Sequence, residues 1–302
     1  MVQVPLLATD APVAPLSQLD QLWFQVGGTR CNLTCKHCFI ACSPHNHSFT
    51  FLSLAEIERW LIDSVRFGVK EYYFTGGEPF LNPDMPAILG RTLQFGAATV
   101  LTNGTVLKDE WLDRLRLAEN ASIYSLEFRV SIDGFTAEQN DPIRGDGVFD
   151  RAVAGVGKLV EHGFLPIITV AQMDESDDAQ TLYEGFVKVF QSAGYARPRI
   201  KILPALRLGA EVDRCRGYRE DECVTKEMLA NFDMNQLLCT HSRIVTDRGV
   251  HVCPILIESP DSFLGDSLGK AQIGFPLRHH ACYTCWQFGS ICSNPSASLR
   301  DA

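Results

Sequence analysis

Four times in its first two hundred or so residues, this chain ends a helical stretch at a glycine and turns at once into a strand. Ser53-Leu-Ala-Glu56 is a capping box. Leu54, Ile57, Leu61 and Val65 then recur at the spacing of one helical face, up to Gly68, which suits a left-handed C-cap. Glu71–Phe74 follows as a strand, and the same order returns at Gly96 before Ala98–Thr102, at Gly163 before Phe164–Ala171 and at Gly194 before Arg199–Leu203. Leu22–Val26 at the start and Leu126–Ile132 in the middle, the latter preceded by a helix over Asp109–Ala118, complete six strands alternating with helices. Strands connected in this way run parallel, with right-handed crossovers and helices over the sheet. A closed barrel takes eight such units. Six are visible before Cys215, so the expected α/β fold is an incomplete (β/α)6 TIM-like barrel. The alternation fades after Leu206. This divides the chain into an N-terminal extension (1–20), a partial barrel (21–206) and a small cysteine-rich C-terminal domain (207–302).

With 302 residues the chain can bury a core of that size. It carries eleven cysteines, and no basic residue precedes the apolar stretch within Met1–Asp20, so nothing there reads as a secretory signal. Metal ligation or redox chemistry is then expected over a disulfide scaffold, in a cytoplasmic protein. The most apolar run, Phe164–Met173, is too short to cross a bilayer. With 27 basic against 36 acidic side chains and a net charge of −9, neither nucleic acid nor a membrane is an expected partner.

Ligands of parallel α/β sheets bind beyond the carboxyl ends of the strands, and the distinctive residues fall there. The first strand leads into Cys31-Asn-Leu-Thr-Cys35-Lys-His-Cys38. Three thiolates can hold three corners of a 4Fe–4S cluster and leave the fourth iron open. Zinc would need a fourth ligand, for which Cys42, His37, His45 and His47 are near enough. The second strand ends in Thr75-Gly-Gly-Glu-Pro79, whose paired glycines let the backbone approach a ligand closely. Asn103 follows the third strand, and Ser131 and Asp133 the fourth. These short polar groups suit ribose hydroxyls, or ordinary Asx-type turns. Arg144 offers a planar fork for a carboxylate, or a surface ion pair.

Taken in order from Leu22 to Leu206, these segments resemble the radical S-adenosylmethionine (SAM) superfamily. The resemblance implies an enzyme whose open iron binds the amino and carboxylate groups of SAM. An electron from a reductant such as flavodoxin or ferredoxin then splits SAM into methionine and a 5′-deoxyadenosyl radical. It carries over Cys31, Cys35 and Cys38 as cluster ligands, and Gly76, Gly77, Glu78, Asn103, Ser131, Asp133 and Arg144 as SAM contacts. The position before the third cysteine, often aromatic in the family, is His37, which can still lie flat against an adenine, with Phe39 adjacent.

Cys239, Cys253, Cys282, Cys285 and Cys292 crowd the last quarter of the chain. Thr246-Asp-Arg-Gly249 reads as a turn between short strands at Arg243–Val245 and Val250–Val252, a hairpin that would bring Cys239 and Cys253 together. The layout resembles the SPASM and shorter twitch domains of the same superfamily, which carry auxiliary iron–sulfur clusters. Five cysteines fit the one-cluster form, although Gly249 to Cys253 is one residue shorter than the usual spacing. The resemblance implies a second 4Fe–4S cluster on Cys239, Cys253, Cys282 and Cys285, with Cys292 as the substitute. Zinc, with His279 and His280 beside the C-x2-C pair, is the alternative.

The expected reaction is hydrogen-atom abstraction from an unactivated C–H bond. An auxiliary cluster taking the second electron gives oxidation, dehydrogenation or a cross-link. A thiol hydrogen donor, from Cys292, Cys215, Cys223 or Cys42, gives epimerisation instead. About twenty residues precede the first strand, too few for an independent leader-binding domain. The expected substrate is therefore a polar small molecule, with a peptide presented by a separate recognition protein as the alternative. A non-enzymatic iron–sulfur or zinc carrier is the reading from another class, and it leaves Gly76–Glu78 and the strand-end polar residues without a purpose.

Overall fold

The computed structural model describes residues 10–172 and 178–289. Its parallel strands are β1 (Gln21–Phe24), β2 (Glu71–Phe74), β3 (Ala97–Thr102), β4 (Leu126–Ser131), β5 (Ile167–Gln172) and β6 (Arg199–Pro204). The helices are α1 (Leu54–Ser64), α2 (Met85–Thr92), α3 (Asp109–Asn120), α4 (Ala137–Arg144), α5 (Val148–Glu161), α6 (Ala179–Ser192) and α7 (His280–Phe288). Three further strands, β7 (Ser242–Thr246), β8 (Gly249–His251) and β9 (Phe263–Gly265), join the same sheet in the order β9-β8-β7-β1-β2-β3-β4-β5-β6.

β7 adds in parallel to the free side of β1, pairing Gln21 with Ser242 through to Phe24 with Val245. β8 and β9 continue from it antiparallel. β6 and β9 end the sheet without meeting, so the barrel is incomplete, as the strand count implies. The strands on either side of residue 207 thus share one sheet. The N-terminal extension is tied down too: Val13 and Ala14 pair with Pro276 and Phe275, and the Ser17 N–H donates to the Thr240 carbonyl at 2.8 Å.

Local signals account for most boundaries. Ser53 and Glu56 form the reciprocal capping box of α1, and Gly68 closes its final turn at φ 75°. The fifth strand starts at Ile167, not Phe164, because Pro166 has no N–H to give to a ladder.

β4 and its continuation, Leu126-Glu-Phe-Arg-Val-Ser-Ile-Asp133, alternate strictly between apolar and polar residues. Leu126, Phe128, Val130 and Ile132 are buried with Ile57, Leu61, Ile88, Leu112, Val156 and Phe186 from the covering helices, which is where the main core lies. The other face looks inward. A closed barrel is filled by branched apolar side chains, but here Trp23, Arg129, Ser131, Thr169 and Lys201 line an open chamber. Among the described residues no helix is long and apolar enough to cross a membrane.

Candidate active site

The chamber, about 260 Å³, opens at the carboxyl ends of the strands and brings together most of the expected site. Cys31, Cys35, Cys38, Gly76, Gly77, Asn103, Ser131, Asp133 and Arg144 all line it. The cysteine loop is held from several sides. The Cys31 N–H donates to the Ser43 carbonyl at 3.1 Å, Lys36 N–H to Ile143 at 2.9 Å, and Ala210 N–H to the Cys38 carbonyl at 3.0 Å. The Asn103 amide stands 3.8 Å from the Cys31 sulfur and 2.9 Å from the Asn32 oxygen.

Besides lining the chamber, the two glycines pack closely against the neighbouring loop. A Cβ on Gly77 would stand 2.0 Å from the Arg30 carbonyl oxygen, and one on Gly76, at φ +142°, would stand 2.7 Å from the Gly27 nitrogen. Their bareness lets the turn after β2 nest against the entrance of the cysteine loop. The contact is protein on protein, and it sets where the three thiols sit.

Glu78 is not among the lining residues. Its carboxylate points away, fully buried, and accepts from the Thr102 hydroxyl at 2.7 Å, the Asn103 N–H at 2.8 Å and the Phe80 N–H at 3.0 Å. It ties the β2 and β3 turns together from behind. Burial pushes its carboxyl up to about 7 against those three donors. The unfolded chain releases that proton near 4.5, so stability from this group falls as pH rises from about 4.5 towards 7. Glu78→Gln is expected to lower stability by about 1–3 kcal/mol, because its amide would face a donor N–H. It should also flatten the decline over that pH range, as read from urea denaturation at each pH. A variant with the parent's pH slope would contradict the assignment.

Asp133 is likewise used internally. Its Oδ2 takes the Arg144 Nε at 2.6 Å and the His37 Nε2 at 2.8 Å, while its Oδ1 accepts the Ala171 N–H at 3.0 Å. Burial works to raise its pKa, but Arg144 and His37 outweigh it and hold the carboxyl well below the usual range. Arg144, the last residue of α4, is therefore a paired cation whose fork is oriented by Asp133. His37 is pinned to the same carboxylate, so its ring does not swing freely on the loop.

Burial pushes the Cys31 thiol up to about 12 and Cys35 up to about 11. Cys38 is drawn down to about 6, first by a hydrogen bond from the Cys42 thiol. Ala41, at φ 49°, turns the chain so that the Cys42 N–H also reaches the Cys38 sulfur at 3.3 Å. Cys42 lines the chamber as a fourth thiol.

Among the described residues no three His, Cys, Asp or Glu side chains converge closely enough to hold one ion. The cysteines are spread around a space, which suits a larger group gripped from its corners.

A second space repeats the pattern. Cys239, Cys253, Cys282 and Cys285 line one apolar void with Leu238, Leu256 and Phe275. The β7–β8 hairpin presents Cys253, and α7 carries Cys282 and Cys285. Burial pushes Cys239 up to about 12, Cys253 to about 11 and Cys282 well upward. The histidines beside the C-x2-C pair do not line this void; His279 Nε2 pairs with Asp261 at 2.9 Å and His280 Nδ1 with the Glu222 carbonyl at 2.8 Å. Cys215, bonded to the Glu211 carbonyl, and Cys223 line neither space. Among the described residues Cys42 is the thiol that lines the chamber besides the triplet. Cys292 lies outside the described residues.

The sequence profile of the Radical SAM superfamily matches residues 26–181, just over half of the chain. The chain belongs to the radical SAM superfamily. Its C-terminal cysteine-rich region is consistent with a SPASM- or twitch-like auxiliary-cluster region. Among curated relatives it is 28% identical over 149 residues to the antilisterial bacteriocin subtilosin biosynthesis protein AlbA of Bacillus subtilis, covering 49% of this chain and 32% of that one. It is 32% identical over 136 residues to the Fe-coproporphyrin III synthase of Methanosarcina barkeri, covering 44% and 32%. The chain thus spans about a third of the length of these relatives. Among solved structures, Streptococcus suis SuiB bound to its precursor peptide SuiA superposes with a TM-score of 0.63 at 15% identity, covering 87% of this chain and 66% of that one. At that identity the likeness is one of fold.

The inward polar residues of the strands escaped the motif reading: Trp23, Arg129, Thr169 and Lys201. The strict alternation of Leu126–Asp133 was the available signal, since charges every second residue on a buried strand must face something wet.

Proposed function

We propose that this protein is a radical SAM enzyme that modifies a peptide. When bound, the 4Fe–4S cluster and SAM supply reductive cleavage to methionine and a 5′-deoxyadenosyl radical, which takes a hydrogen atom from the substrate. Cys31, Cys35 and Cys38 hold the cluster, and the Gly76–Gly77 turn and Asn103 present backbone and amide groups to SAM. Ser131 lies beside them. Arg144, oriented by Asp133, offers the remaining edge of its guanidinium to the SAM carboxylate. Cys239, Cys253, Cys282 and Cys285 hold an auxiliary cluster, and an external reductant such as flavodoxin or ferredoxin supplies the electron.

One observation carries the peptide over the polar small molecule. Among the described residues the sheet stays open beside β6, an end strand half-buried along most of its length, whose last residues and the following Ala205 and Leu206 line the chamber. An unpaired strand edge offers the main-chain groups that an extended peptide pairs with. Inside, the indole N–H of Trp23 and the hydroxyl of Thr169 are buried with no hydrogen-bond partner among the described residues, and a peptide carbonyl or carboxylate would satisfy them. The bacteriocin role of AlbA and the precursor peptide bound to SuiB point the same way, whereas the porphyrin named for the Methanosarcina relative keeps a small molecule as the competitor.

The deciding experiment follows deuterium into 5′-deoxyadenosine during anaerobic turnover. Peptides deuterated at Cα and Cβ, taken from short reading frames neighbouring the gene, should transfer the label. Transfer from a labelled porphyrin or sugar, with none from any peptide, would overturn the peptide assignment while leaving the radical chemistry intact.

A further inference from the structure

Arg243 is the second residue of β7, with none of its surface exposed. Its guanidinium makes four hydrogen bonds, all to backbone carbonyls. Nε donates to Ala271 at 3.0 Å, Nη1 to Cys239 and Ser242 at 2.7 Å, and Nη2 to Ile273 at 2.5 Å. No carboxylate lies within ion-pair distance of it among the described residues, whereas the buried Arg129 and Arg144 have Glu127 at 3.0 Å and Asp133 at 2.6 Å. Carbonyl dipoles satisfy its donors, but they do not balance its charge. Taking an ion out of water without a counter-charge is expensive, and arginine does not shed its proton to escape.

Cys239 touches Arg243 through its carbonyl and sends its thiol into the void shared with Cys253, Cys282 and Cys285. Cys282 adds a second source of positive potential, since it is the third residue of α7 and lies where the helix N-terminus carries partial positive charge. An apolar void with four thiols and a buried, unbalanced cation is built for a group of net negative charge. Four thiolates on a 4Fe–4S core make such a group in either redox state that the core adopts.

We propose that Arg243 is the counter-charge of the auxiliary cluster and sets its reduction potential. This rests on the assignment of Cys239, Cys253, Cys282 and Cys285 as that cluster's ligands. Each electron added to the cluster places more negative charge near a fixed positive one, so Arg243 favours the reduced form. A cluster meant to take an electron from a substrate needs that bias, which the surrounding apolar wall alone would oppose.

The test isolates the auxiliary cluster in the full chain carrying Cys31→Ala, Cys35→Ala and Cys38→Ala, and follows its reduction by potentiometric EPR. Arg243→Met, added to that parent, should load the same iron and sulfide and lower the reduced fraction at a fixed potential at least tenfold, a fall of 59 mV or more for one electron. Arg243→Lys, which keeps the charge but not the forked bonds, should hold the midpoint near the parent's. A fully loaded Arg243→Met protein with an unmoved midpoint overturns the proposal. If Arg243→Met loads no cluster, the lysine variant decides: a parent-like midpoint supports the counter-charge, and a lowered midpoint or failure to load overturns it. A parent that binds no iron at all brings down the ligand assignment itself, which separates that failure from an error about Arg243.

Discussion

Cys38→Ala should abolish release of 5′-deoxyadenosine, to below about a thousandth of the parent rate, equivalent to about 4 kcal/mol of barrier. Cys38 differs from its two partners. The Cys42 N–H donates to its sulfur at 3.3 Å and its pKa is drawn below the usual thiol range, so it is the thiol of the triplet held closest to its ligating, deprotonated form. Iron per chain should fall from about eight to about four as one of two clusters is lost. Cys285→Ala should do the reverse, leaving SAM cleavage in place while substrate turnover fails. The measurement is anaerobic chromatography of 5′-deoxyadenosine beside iron and sulfide analysis. Continued SAM cleavage by Cys38→Ala would mean that the chamber's open-iron chemistry has been assigned to the wrong residues.

The second large effect is expected at a residue with no side chain. In Gly77→Ala the new methyl would stand 2.0 Å from the Arg30 carbonyl oxygen, far inside contact distance and against backbone that cannot rotate away. Either the turn after β2 or the entrance to the cysteine loop must move. Such overpacking costs about 1–3 kcal/mol, but the functional loss should exceed what that number suggests, because the displaced segment leads directly into Cys31. The variant should fold, with a lower melting temperature and little iron in the N-terminal site. Gly157→Ala is the matched control: it lies in α5 with nothing within 4 Å of the new methyl, and it should gain about 0.5–1 kcal/mol with normal iron. If Gly77→Ala loaded iron as readily as Gly157→Ala, the nesting of the two loops would not be what positions the thiols.

Those two residues also show what could be read in advance. The triplet of Cys31, Cys35 and Cys38 and the glycines after β2 are local patterns, and so are the six strands, whose alternation and glycine caps operate within a few residues. The hairpin around Thr246–Gly249 was legible for the same reason. Which partner a charged side chain takes is another matter. Glu78 and Asp133 look in sequence like carboxylates waiting for a ligand. Packing of three strands turns one behind the site and gives the other to Arg144 and His37. α4 hid behind its polar composition and Pro142, and α7 behind its cysteines. Arg243 did leave a trace, a lone cation inside an apolar strand, but its meaning needed the knowledge that no acid lies opposite.

β1 lies between β2, about fifty residues downstream, and β7, more than two hundred residues downstream. The cysteine loop leaves from the end of β1, and its far-side supports also come late, as Ala210 holds the Cys38 carbonyl and Asp247 takes the Thr50 N–H and hydroxyl. A nascent chain on the ribosome therefore exposes its first three thiols long before the scaffold that shelters them has been made. Iron delivered early would meet a half-built pocket open to oxygen, so a cluster held by Cys31, Cys35 and Cys38 would be inserted only after the C-terminal hairpin has been made.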